Sequence, residues 1–312
     1  MSIRSLGAKI RNALLQKSNA PLPPLDLYNL EGTVNIHSSS AYRDSRYFAR
    51  FEPTYEDFKN NLELLVDSNT STNFYKYGDG DYYFLKGEEN GSARPGKRAL
   101  SKSYSEIDLP RFQEESRKMD HYLCEIPDDD RIRFAETFPD KIISFPAEYS
   151  YGVVASRWIF KNFAKDIGII GADKKIDLIE QLLKYPEYRN YLGLGNETPD
   201  LIRIPQKFAC DDLDSTIDKV SKQIIGSRKK IFILGVGHVK SGLLTALVNI
   251  HPAVYLDVGS GIDALAGVID IRRPYFGGWT NFKLPNSDKY IEIDYLQVDN
   301  PGKIFYLKEV TE

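Results

Sequence analysis

The feature that most restricts this chain is an alternation running from residue 167 to residue 261. Short apolar stretches, IGIIG (167–171), LIRIPQ (201–206), KKIFILGVG (229–237) and AVYLDVGSG (253–261), are separated by segments of helical periodicity, KKIDLIEQLLKY, DLDSTIDKVSKQIIGS and VKSGLLTALVNI. Short apolar runs without polar alternation suit strands buried on both faces, and such strands separated by helices imply a parallel sheet covered on both sides. The expected fold class is therefore α/β: a Rossmann-like, doubly wound, mostly parallel sheet. The tail, KYIEIDYLQVDNPGKIFYLKEV (289–310), alternates polar and apolar residues around DNPG and predicts a C-terminal antiparallel hairpin.

Upstream, YEDFKNNLELLVDS predicts a helix, with Phe58, Leu62 and Leu65 at helical spacing, and NFYKYG (73–78) a strand. Residues 88–112 are polar, with Gly, Pro and clustered Arg and Lys, and predict a loop. RFQEESRKMDHYLCEI reads as helical, KIISF (141–145) as a strand and SRWIFKNFAKD as a helix.

The N-terminal MSIRSLGAKIRNALLQKS places Ile3, Leu6, Ile10, Ala13 and Leu14 on one helical face, with Arg4, Lys9, Arg11 and Lys17 around it; the first acidic residue is Asp26. A basic amphipathic helix can lie on an anionic membrane surface, so residues 1–18 are one candidate for peripheral membrane contact; a helix packed on the domain or on a partner subunit is the other reading. APLPP ends this segment, because proline cannot continue a helix. Residues 1–24 are thus read as a basic helix with a proline linker, and 25–312 as a single domain.

The net charge of −3 argues against a nucleic-acid partner, which would call for a more basic surface. The two cysteines, Cys124 and Cys210, lie far apart and outside any CxxC spacing, so neither a disulfide framework nor a zinc cluster is expected. The N-terminus lacks the apolar core of a secretory signal, and no run of about 18 apolar residues occurs. A cytoplasmic location follows as the expectation, at the inner membrane face if residues 1–18 bind there.

Ligands of doubly wound sheets bind beyond the carboxyl ends of the strands, and three clusters fall at such places. In YKYGDGDYYF, Asp79 and Asp81 flank Gly80 after the strand. Asp-Gly between aromatic runs suits a two-residue hairpin; alternatively, two carboxylates one residue apart can both reach a divalent cation that bridges phosphates. In FILGVGHVKSGLLTAL, Gly235 and Gly237 open a helix, where free N–H groups and the helix dipole favour an anion. His238, Lys240 and Ser241 would add donors there; Lys240 stands where a dinucleotide fingerprint needs glycine, and the Walker order is absent. In VYLDVGSGIDALAG, Asp257 and Gly259 resemble the first motif of an adenosylmethionine-dependent methyltransferase, and Asp257 lies at the spacing of a ribose-binding acid. Those motifs normally begin a sheet, whereas here the strand–helix units lie upstream.

YKYGDGDYYF is similar to the R-[YF]-G-D-G-E signature of GT-D type glycosyltransferases, and ILGVGHVKSGLL and VYLDVGSGIDALAG resemble that family's later G-x-[GPS] and D-[VI]-G elements. The resemblance spans about residues 55–285. It implies a Rossmann-like GT-D catalytic domain that moves a sugar from a nucleotide-sugar donor to a glycan, lipid-linked or protein acceptor. It implies that Asp79 and Asp81 hold Mn²⁺ or Mg²⁺ and the nucleotide, that Gly78 and Gly80 permit close approach, and that Gly235, Gly237, His238 and Lys240 meet phosphate or acceptor. Ser241, Gly259, Ser260 and Asp263 complete the expected nucleotide-sugar contacts. Two departures are plain: Asp81 replaces the family's Glu, and the leading Arg gives way to Lys76 and Tyr77 before Gly78, which keeps a charge but loses a bidentate fork. For a general base the candidates are Glu148, Asp257, Asp263 and His238. Arg94, Lys97, Arg98 and Lys102 form a candidate lid, and Arg272, Arg273, Tyr275 and Trp279 a candidate sugar-binding loop. A methyltransferase and a non-catalytic nucleotide- or sugar-binding module are the alternatives.

Overall fold

The computed structural model of the chain describes residues 55–88, 104–125, 128–205 and 209–267. The expected N-terminal helix and linker, the C-terminal hairpin, the candidate lid and the 272–279 loop lie outside the described residues.

Every residue of β1 (Thr72–Tyr77), β4 (Ile167–Ala172), β6 (Ile231–Gly235) and β7 (Val254–Asp257) is buried. With β2 (His121–Cys124), β3 (Ile143–Pro146) and β5 (Asp200–Ile204) they form one seven-stranded sheet in the order β3-β2-β1-β7-β6-β4-β5. Each neighbouring pair is parallel. Alternate strand residues feed two separate cores. One holds Phe74, Leu123, Ile169, Ile233 and Leu256 against α1 (Tyr55–Asp67), α5 (Ala147–Ala155), α6 (Trp158–Phe163), α7 (Asp173–Leu182), α8 (Pro186–Leu192) and α11 (Gly261–Leu265). The other holds Tyr75, Tyr77, Tyr122, Phe232, Leu234 and Tyr255 against α2 (Asp79–Lys86), α3 (Leu109–Ser116), α4 (Asp128–Thr137), α9 (Leu213–Ile224) and α10 (Lys240–Ile250). Helices on both faces make the sheet doubly wound and Rossmann-like.

Register is fixed by shape as well as by hydrogen bonds. Phe232 stacks on Tyr255 with ring centroids 5.5 Å apart and lies across Gly168, where an added Cβ would meet the ring at 2.2 Å. Only glycine leaves room for that ring in the packed interior.

Two local expectations are corrected. The segment 111–126 is not one helix: α3 ends at Ser116, and HYLC becomes β2 between β1 and β3. A side-chain clamp at the strand entry holds it there. Asp120 Oδ2 accepts from Thr72 Oγ1 (3.0 Å) and Asn73 N–H (3.1 Å), while the Asp120 N–H donates to Asn73 Oδ1 (3.1 Å). Nor is YGDGDYY a hairpin, because the aromatics after Gly80 belong to α2. Gly78 is the N-cap, and Asp81 at N3 accepts its N–H at 2.9 Å, the reverse half of a capping box. Gly87, at φ 70°, closes the helix in the left-handed conformation.

The winding decides where a site can form. β1, β2 and β3 step outward to one edge; the chain then crosses to β4 and β5 and returns through β6 to β7, which pairs with β1. Among the described residues the first and last strands, β1 and β7, are neighbours, with β6 beside β7, so the turns after all three share one end of the sheet.

Candidate functional site

At that end the three sequence clusters meet. The ammonium of Lys240, at the start of α10, lies 3.0 Å from Asp81 Oδ2 and 2.8 Å from Asp257 Oδ2, and it donates to the backbone carbonyl of Lys76. It also sits over the ring of Tyr75, 4.8 Å from the centroid. An ammonium has three donors, and here each has an acceptor within the protein. Asp257 is equally committed: Oδ1 accepts from the Gly259 N–H at 2.9 Å, and Oδ2 from the Lys76 N–H at 3.3 Å. All three side chains are buried. Burial alone would raise the pKa of Asp81, but Lys240, reinforced by His238, overrides it and holds the carboxyl well below the usual range. Ser241, also buried, shares a hydrogen bond of 3.0 Å with the Tyr75 hydroxyl.

Around this knot the turns touch one another. An added Cβ at Gly235 would lie 2.3 Å from the Gly259 carbonyl oxygen, and one at Gly259 2.9 Å from Lys76 Cε. Those two glycines serve turn-to-turn packing. Gly237 differs: it is exposed, at φ 63°, and an added Cβ would meet nothing within 4 Å.

The open face of the site carries Asp79, His238 and Gly237, while Ser260 is half-buried at the N-cap of α11. Asp79 is exposed at the first position of α2 and accepts the Gly80 N–H at 2.7 Å. The His238 ring is parallel to Phe84 (centroids 4.7 Å apart, 4° between planes) and lies beside Gly80, where an added Cβ would come within 3.1 Å of Cε1. Its Nδ1 stands 3.7 Å from Asp81 Oδ1.

Lys76 lies on the opposite face of β1, with its ammonium 3.4 Å from Glu125 and over Tyr151. Burial opposes its charge, yet Tyr151 and Glu125 keep its pKa well above the usual lysine range. Tyr77 points away from the site, its hydroxyl bonded to α4 at the Arg133 carbonyl (3.0 Å) and Thr137 Oγ1 (2.7 Å). Asp263 is tied to Lys175, at the start of α7, at 2.5 Å. Glu148 is buried in the first turn of α5, near enough to Cys124 to help raise its pKa behind the larger effect of burial. Both cysteines are buried and free.

Three site residues were not anticipated. Glu125 follows β2 directly and accepts from the Tyr151 hydroxyl at 3.2 Å. Asp130, on α4, has a pKa pushed up to about 6 by burial, Glu125 and Asp79 against the opposing pull of Arg133. Phe84 is the shelf for His238. The rule that sites gather after parallel strands would have marked Glu125 had β2 been seen.

The residues only partly suit a divalent cation. Asp79 and Asp81 are two apart on a helix, where side chains do not face each other. Asp81 already has an ammonium on one oxygen. Among the described residues no group of three or more His, Cys, Asp or Glu is arranged to hold a metal. Asp79 alone, exposed beside the opening, suits a cation that arrives with phosphates, since Mg²⁺ is commonly bound by one or two carboxylates plus substrate oxygens.

No protein-family model and no curated protein matches the chain. Among solved structures it is similar to that of the domain of unknown function 1792, described as having a distinct glycosyltransferase fold. That alignment covers 78 % of this chain and 92 % of that one at 14 % identity, with a TM-score of 0.46. A structure described as a new glycosyltransferase of the same domain type, from Streptococcus sanguinis, aligns over 80 % of this chain and 93 % of its own at 14 % identity, with a TM-score of 0.44. Among the described residues no helix is long and apolar enough to cross a membrane.

Proposed function

We propose that the chain is a glycosyltransferase that takes a nucleotide-activated sugar at the carboxyl ends of β1, β6 and β7 and passes the sugar to a hydroxyl acceptor. One observation carries this reading: the three motif turns, far apart in the chain, close on a single site with His238 and Asp79 on its open face. The diphosphate would lie against the Gly237–His238 turn, where a helix N-terminus opens toward solvent. Mn²⁺ or Mg²⁺, held by Asp79 and the donor's own phosphates, would supply positive charge to the leaving diphosphate. His238 is the best-placed general base. Of the four base candidates it alone combines partial exposure with freedom from a lysine partner or a fully buried setting. In transfer, the acceptor oxygen forms a bond to the anomeric carbon as the bond to the diphosphate breaks, and the acceptor proton passes to the imidazole.

The methyltransferase alternative needs Asp257 to hold a ribose. Its carboxylate is 1 % exposed and fully engaged by Lys240 and backbone N–H groups, which argues against that role. The deciding experiment is a panel of UDP-, GDP-, CMP- and dTDP-sugars with Mn²⁺, read as donor hydrolysis and transfer, comparing wild type with His238→Ala and Asp79→Asn. One donor turned over by wild type and much more slowly by both variants is expected. Stabilisation by adenosylmethionine with no response to any sugar nucleotide would overturn the reading.

A further inference from the structure

In Lys240, we infer, the chain carries a built-in cation that stands where a divalent metal would otherwise bridge Asp81 and Asp257, so that Asp81 is a partner of the ammonium and not a metal ligand. The two carboxylates come from elements 176 residues apart in the chain, the α2 start and the β7 end, and their Oδ2 atoms converge on one nitrogen at 3.0 and 2.8 Å. Two buried carboxylates so close cannot both stay ionised without a positive charge between them. Lysine supplies that charge as part of the fold, on the first residue of α10, while the carbonyl of Lys76 takes its third donor. A dication beside Asp81 would sit within a few ångströms of this ammonium and would be repelled by it. Lys240 is therefore a positioning residue. It joins the turn after β6 to those after β1 and β7 and sets Asp81 to cap α2, which in turn presents Asp79 and Gly80 to the open face.

The inference concerns the inner edge of the proposed donor site, yet it can be tested without any donor. Mn²⁺ uptake by the free full-length chain is followed through loss of the free-ion electron paramagnetic resonance signal, and thermal melting is measured with and without millimolar Mn²⁺. Wild type is expected to show no uptake that depends on Asp81. Lys240→Ala is expected to gain one Mn²⁺ per chain, held by the released carboxylates, with a melting temperature that Mn²⁺ raises on the order of 5 °C. Lys240→Gln, which keeps an amide donor and most of the volume, should gain the same uptake and guards against a folding failure in the smaller variant. If both unfold without metal, Mn²⁺-driven refolding seen by circular dichroism is the expected equivalent. Wild-type uptake that vanishes in Asp81→Asn, or Lys240 variants that neither bind Mn²⁺ nor refold with it, would overturn the inference. Because no sugar nucleotide is present, these results are separate from donor turnover, which judges the glycosyltransferase reading.

Discussion

The Lys240 ammonium and the Asp81 carboxylate lie 3.0 Å apart, both buried, although 159 residues separate them in the chain. This contact ties the first βα turn of the sheet to the βα turn after β6. It also makes acid stability a direct report on the site. The pKa of Asp81 is lowered in the fold, so its contribution is complete above the unfolded carboxyl value of about 4 and fades as pH falls below that. Melting temperature measured from pH 7 down to pH 2 should therefore drop steeply below about pH 4 in wild type. In Asp81→Asn the starting stability should be lower and the acid slope shallower. Equal acid slopes in the two proteins would contradict the ion pair.

Asp130 should act in the opposite sense. Its pKa is raised to about 6, first by burial and then by Glu125 and Asp79. A carboxyl whose folded pKa lies above its unfolded value favours the fold while protonated, and that advantage is lost as pH rises from about 4 through 6. Asp130→Asn should remove the penalty, raising stability at pH 8 relative to wild type by about 1 kcal/mol after solvent screening, and should leave little difference at pH 4. Urea unfolding at the two pH values measures it. A variant less stable than wild type at pH 8 would show that the Arg133 contact outweighs the repulsion.

How far these relationships could be read beforehand differs from element to element. The strands β4, β6 and β7 were legible because every position but Asp257, the last of β7, is apolar or small, the pattern of a strand buried on both sides. β2 was not, since four residues between EESRKMD and Glu125 carry no period, and the strand exists because Asp120 and Asn73 clamp it to β1. The pairing of YGDGDYY with the two later glycine clusters was visible as three strand ends. The direction of Lys240 was not: a lysine after a glycine turn suits an anion outside as well as a carboxylate inside, and only Asp257 and Asp81, brought from other strand ends, turn it inward. Asp79 and Asp81 looked equivalent in sequence, yet helix geometry exposes one and buries the other.

Gly235 and Gly237 look alike in sequence, and the structure separates them. At Gly235 a Cβ would strike the Gly259 carbonyl at 2.3 Å, a backbone atom that cannot swing aside. Gly235→Ala should cost about 3 kcal/mol and displace the turn after β7. At Gly237 nothing crowds the Cβ, and only the left-handed φ of 63° opposes it, so Gly237→Ala should cost about 1 kcal/mol. Guanidinium unfolding of the pair is the measurement, and equal costs would refute the distinction.

Gly80→Ala separates function from folding. Gly80 lies in the first turn of α2, where alanine is the better helix former by up to about 1 kcal/mol. Stability should therefore hold or rise. The new methyl would sit 3.1 Å from His238 Cε1, tighter than an ordinary contact, and the imidazole must shift on its Phe84 shelf to admit it. If His238 takes the acceptor proton, displacing it by a few tenths of an ångström should lower transfer about tenfold. Donor binding, which in this reading rests on the Gly237 turn and Asp79, should change much less. The comparison is kcat against KM for the donor in wild type, Gly80→Ala and His238→Ala. A Gly80→Ala protein that melts as wild type and transfers sugar at the wild-type rate would remove His238 from the reacting centre, leaving Asp79 as the exposed carboxylate to test next.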